Sequence, residues 1–103
     1  MKTYTGIRDK PVGVLKVFVD GKPLKHISRH SPDGFQWGYG GSGSADLALS
    51  ILYDCLGKQK ADELYIAFKF DYVAVFGDKW ELSEDEIRRW AEGKEVEKDG
   101  TDK

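Results

Sequence analysis

Residues 30–56, HSPDGFQWGYGGSGSADLALSILYDCL, constrain the fold more than any other part of the chain. The stretch passes from turn-forming residues through an aromatic run (Phe35, Trp37, Tyr39) into four glycines within six residues (Gly38, Gly40, Gly41, Gly43). An apolar segment with helical spacing follows directly. Glycine at that density serves backbone geometry, because it reaches positive φ at little cost and lets a ring or a ligand approach the main chain closely. In the apolar segment Asp46, Ser50 and Asp54 fall four apart and make one narrow polar stripe, while aliphatic and aromatic residues and Cys55 cover the rest. A helix of that composition is buried on most sides, so residues 45–56 are expected to be the central helix of the core. Ser44 is its expected N-cap, with Asp46 in the positive first turn and Gly57 then Lys58 at the exit.

Ahead of this stretch, residues 3–7 and 14–19 read as strands, with turn residues between them. Asp20-Gly21 is a strong hairpin signal, since a type I′ turn needs positive φ at both central positions. A return strand over 22–28 is expected, and Pro23, which has no N–H to give a ladder, places its start at a sheet edge. After the helix, 57–62 reads as a connection and 64–76 as the most β-like run. Leu64, Ile66, Phe68 and Phe70 alternate there with Tyr65, Ala67, Lys69 and Asp71, and beyond Asp71 either a hairpin or a bulge fits. Ser83-Glu84-Asp85-Glu86 is a capping box, with Leu82 and Ile87 positioned as a hydrophobic staple. A short helix from 84 to about 92 should end at Gly93 and bring Ile87 and Trp90 near Trp80. Residues 94–103 are charged and are expected to be a disordered tail beyond a single domain of residues 1–93. The sum is an α+β domain: a mainly antiparallel sheet, one central buried helix and a short C-terminal helix.

Sixteen basic and 18 acidic residues give a net charge of -2, so no global field favours nucleic acid or an anionic membrane. No run approaches the roughly 20 apolar residues of a membrane helix, and the N-terminus lacks a signal-peptide core. A soluble, cytoplasmic protein is expected. Its one cysteine, Cys55, lies on the apolar helix and reads as a buried structural thiol in a reducing compartment.

Gly38, Gly40 and Gly43 match G-x-G-x-x-G, but no buried strand precedes them and no acidic residue ends a following strand, so a dinucleotide site is not expected. An anion cradle at the glycine amides and helix N-terminus, with Arg29 or His30 adding charge, is a better fit to the residues. The plainer alternative is a tight turn packed over the helix end, and the absence of a P-loop lysine favours it. Ser42 sits between glycines, but Ser44 breaks the G-x-S-x-G pattern. His30 as a base oriented by Asp33 would need a geometry that sequence proximity does not supply. His26 and His30 lack further ligands for a metal. No cofactor and no catalytic residue is assigned. Within the aromatic run, Phe35 and Trp37 are expected to pack on the sheet and central helix, with Tyr39 or His30 outward, the glycines at 38 and 40 breaking strict alternation.

The motif HSPDGFQWGYGGSGSADLALSIL resembles a small family of uncharacterised proteins of bacteria, archaea and their mobile elements, including phages. The resemblance continues through Phe68-Lys69 and from Trp80 to Trp90. Where this chain has Ser44 the family often carries Pro, which implies a position in the first helical turn. No chemistry transfers with the motif. The function expected is therefore a small interaction module, an accessory of a mobile element acting on a host protein; the alternative is a binding or catalytic protein holding a phosphate-bearing small molecule at the glycine loop. Both readings draw on one set of residues: Arg29, His30, Asp33, Trp37, Tyr39, Gly40, Gly41, Ser42, Gly43 and Ser44.

Overall fold

The computed structural model describes residues 1–9 and 13–100. In chain order the elements are β1 (Thr3–Asp9), β2 (Val14–Val19), β3 (Lys22–Pro23), α1 (Ser42–Leu56), α2 (Lys58–Asp71), a 3-10 turn (Val73–Val75), β4 (Lys79–Ser83) and α3 (Glu84–Gly100). The strands form one antiparallel sheet in the order β3-β2-β1-β4, which makes the domain α+β as the sequence predicts.

The hairpin between β2 and β3 follows from local chemistry. Asp20 and Gly21 both take positive φ, 51° and 81°, and Asp20 Oδ1 accepts a hydrogen bond from the Thr3 amide at 2.9 Å. Alternation then sorts the sheet into two faces. Tyr4, Val17, Trp80 and Leu82 are buried toward the helices, whereas Val14, Lys16, Lys79 and Glu81 are exposed on the other side. Eleven of the fifteen α1 residues are buried, so this helix must be covered on more than the sheet side. The sheet, α2 and the long segment from Leu24 to Gly41 share that task.

Four expectations need correction. Residues 64–76 are not a strand: α2 runs Lys58–Asp71 and pairs with α1 as a helical hairpin about Gly57. Its sequence carries two periods at once, and Ala61, Leu64, Phe68 and Tyr72, spaced by three or four, form the face that packs on the core. The competing alternation is a coincidence of Ile66 and Phe70, which are 45% and 58% exposed. Trp80 and Leu82 instead alternate within a short strand, β4, that the sequence reading passed over. The return strand is only Lys22–Pro23, because the chain beyond it leaves the sheet for polar groups on α1. Finally, α3 continues through Gly93 to Gly100. An interior glycine costs a helix only about 1 kcal/mol. Beyond it Lys94 reaches Asp71 at 3.1 Å and Glu95 reaches Lys60 at 2.9 Å, tying the helix to α2. Of the expected tail, residues 101–103 lie outside the described residues.

The start of α3 shows the Ser83 half of the expected capping box. Ser83 Oγ accepts the Glu86 amide at 3.1 Å, and Leu82 and Ile87 are both buried. Trp90 packs edge-on to Phe68, with ring centroids 5.0 Å apart, and donates to Asp71 at 2.8 Å.

Candidate functional site

The site is best built from α1, whose polar stripe is not a solvated face. Asp46 is fully buried, and its carboxylate accepts hydrogen bonds from His26 Nε2 (2.9 Å) and from the amides of Arg29, His30 and Ser31 (3.2, 2.8 and 2.9 Å). Burial alone would raise its pKa, but the His26 ring and the three amides hold it below the usual carboxylate range. One turn on, Ser50 Oγ accepts the Ile27 amide at 2.8 Å; one turn further, Asp54 accepts Tyr4 Oη at 2.7 Å and Lys2 Nζ at 3.2 Å. The stripe is thus a docking rail for an extended segment that has no sheet partner to satisfy its amides. Its far end opens on a shallow depression of about 250 Å³ lined by Leu24, Lys25, Ile27, Ser50, Tyr53 and Asp54. Such a hollow is smaller than the roughly 300–1,000 Å³ that encloses an organic ligand.

α2 supplies a second rail. Asp62, Tyr65 and Lys69 share one helical face and meet Arg29 (2.9 Å), His30 (2.9 Å between Nε2 and the phenol oxygen) and the Gly40 carbonyl (3.3 Å) in the same order. The His30 and Tyr65 rings also stack with centroids 5.7 Å apart. His30 therefore faces Tyr65 rather than Asp33, which is exposed in the turn after Pro32.

Between the rails lies the aromatic run. Trp37 is 1% exposed, donates from Nε1 to the Gly77 carbonyl at 2.7 Å, and meets Trp80 edge-on with centroids 5.7 Å apart. Arg8 donates to the Trp37 carbonyl at 3.1 Å. Gly38 then takes φ +86°, a conformation open to glycine, while its amide donates to the Val73 carbonyl at 3.0 Å. That break in the period sends Tyr39 outward, 55% exposed, while Phe35 packs partly buried beside His26, its ring centroid 4.6 Å away.

The remaining glycines are filled by packing. A Cβ at Gly40 would stand 3.2 Å from the Phe70 ring, one at Gly41 would collide with the Tyr39 ring, and one at Gly43 would lie 2.9 Å from the Gln36 amide nitrogen. The helix begins at Ser42 with Gly41 as an N-cap that offers no side chain, which corrects the expected Ser44 cap. Ser42 is exposed, while Ser44 is buried in the first turn and its hydroxyl has no partner among the described residues. Asp46, expected to serve the helix dipole, instead serves the loop.

The structure sets the Phe70 ring of α2 over Gly40 and the Tyr39 ring over Gly41, with Ile66 one turn back from Phe70, and all three apolar side chains are exposed. Sequence reasoning missed Phe70, Ile66, Lys69 and Asp46. The first three were hidden by the strand reading of their segment; Asp46 was visible as a carboxylate in an otherwise apolar helix. Among the described residues no group of three His, Cys, Asp or Glu is placed to hold a metal ion, and no helix is long and apolar enough to cross a membrane. Comparison with curated proteins and with solved structures finds no match. A model of a family of unknown function, DUF6166, matches residues 4–93, and the chain belongs to that family.

Proposed function

We propose that this domain is a small protein-interaction module whose contact face is Tyr39, Phe70 and Ile66. The observation that carries the reading is the pair of exposed aromatic rings laid on the bare Gly40-Gly41 backbone. Rings held in place in the free protein lose little side-chain entropy when a partner covers them, and aromatic anchors of that kind carry much of the energy of protein interfaces. A cytoplasmic setting, a mobile-element origin and a host protein as partner complete the proposal, resting on composition and on the motif resemblance. Affinity capture from a host lysate tests it, using the wild type beside Tyr39→Ala/Phe70→Ser. A partner retained by the wild type and lost from a variant with unchanged circular dichroism is the expected result. Equal recovery by both, or none by either, removes the proposal.

One observation favours a second reading, an anion held at the start of α1. Lys69 is 9% exposed and has no carboxylate partner among the described residues, and its Nζ sits beside the Gly40 carbonyl. The rings of Tyr39 and Phe70 occupy the approach to that backbone, which weighs against it. Thermal stabilisation by phosphate or a nucleotide, absent in Lys69→Met, would support this reading over the first.

A further inference from the structure

The two edges of the sheet are built differently. At the β3 edge the Leu24 amide donates to the Val17 carbonyl at 3.0 Å, and Phe18 stands opposite Pro23. Main-chain groups alternate in direction along an antiparallel strand, so the nitrogen of Pro23 faces away from β2, where it offers no donor to an incoming strand. That edge is two residues long and closed by proline.

The β4 edge has no such device. The Arg8 amide donates to the Asp78 carbonyl at 2.8 Å and the Glu84 amide to the Lys2 carbonyl at 2.9 Å, in a register that sets Ile7 against Lys79 and Thr3 against Ser83. Residues 78, 80, 82 and 84 therefore turn their main-chain polar groups toward β1. The N–H and C=O of Lys79 and Glu81, and the N–H of Ser83, turn away from the sheet. No hydrogen bond from a described residue reaches them. Side chains alternate as well, with Lys79 and Glu81 exposed and Trp80 and Leu82 buried.

We propose that this open edge pairs with the same edge of a second copy of the chain, the two β4 strands antiparallel about an axis at Trp80. In that register Lys79 lies opposite Glu81 of the partner subunit, and Glu81 opposite Lys79 of the partner subunit. Both are edge-facing positions, so each pair exchanges two main-chain hydrogen bonds and sets opposite charges side by side on the exposed face. The neighbouring register, with Glu81 opposite itself, puts like charges together and is disfavoured. Charge of a single sign would protect the edge; alternating Lys and Glu complements itself. The surface is separate from the Tyr39 and Phe70 face and stands without it.

Sedimentation equilibrium on the full chain tests the pairing. The wild type is expected to dimerise. Glu81→Lys, which faces the partner with lysine at both positions, is expected to weaken the dimer by about tenfold or more. Combining it with Lys79→Glu restores complementarity in the same register and should recover the dimer. Glu81→Pro removes the outward N–H and the carboxylate together but no hydrogen bond to β1, and proline is tolerated on an edge strand, so it should give a monomer with the wild-type circular dichroism spectrum. A wild type that stays monomeric up to its solubility limit, a dimer that survives Glu81→Pro, or a double reversal that fails to restore a folded variant would each overturn the proposal.

Discussion

The segment from Leu24 to Gly41 is gripped by two helices with similar chemistry and different consequences. On α1 the grip is Asp46, fully buried, with a histidine ring and three amides around it. On α2 the Arg29 to Asp62 pair is of comparable length, 2.9 Å, but its side chains are 37% and 31% exposed. Geometry alone does not separate them. In the first case losing the carboxylate strands several donors where little water can reach, and in the second the solvent replaces the partner. The α1 side should therefore hold the loop and the α2 side should only trim its position.

The largest effects sharpen that contrast. Asp46→Ala should destabilise the domain by about 3 kcal/mol or more in a denaturant titration, since it strands three amides and the His26 ring and each buried donor left without its acceptor costs about 1–3 kcal/mol. Trp37→Ala, which empties the core side of the same loop, should cost roughly 3–5 kcal/mol, while Tyr39→Ala two residues away should stay within about 0.5 kcal/mol. Equal and small losses at 37 and 39 would mean that the aromatic run is a surface platform throughout.

A pH titration reads the same carboxylate without deleting it. Asp46 is held below its ordinary value in the folded state, so its contribution is complete above the unfolded value of about 3.9 and disappears as pH falls through the lower folded value. Acid unfolding of the wild type should be steeper than that of Asp46→Asn, whose group does not titrate. Parallel acid limbs would contradict the assignment.

Smaller effects come from local caps and surface pairs. Ser83→Ala should cost about 1 kcal/mol, with the loss read by hydrogen exchange in the first turn of α3. Asp62→Ala should leave the melting temperature unchanged within error, although it frees Arg29 and Lys58 together. A clear drop there would break the comparison and show that the α2 rail carries the loop after all.

Legibility from sequence followed the range of the interaction. The hairpin at Asp20-Gly21, the capping box at Ser83 and the apolar bulk of α1 were readable because each is decided within a few residues. The outward turn of Tyr39 was readable too, since glycine at position 38 breaks the alternation. α2 was not, because its residues satisfy a strand period and a helix period together, and only the packing of Ala61, Leu64 and Phe68 against the core chooses between them. β4 was likewise too short to declare itself until β1 supplied the ladder.

The candidate face divides along the same line. The sequence alone determined that a glycine-rich turn leads into a buried helix and that the aromatic residues beside it split between core and surface. Only the tertiary structure decided what the glycines are for, since it lays Phe70 on Gly40, Tyr39 on Gly41 and Gln36 on Gly43. At Gly40 the close approach depends on where a distant helix packs, at Gly41 and Gly43 on how the loop folds back on itself, and a missing Cβ records that something comes near without recording what.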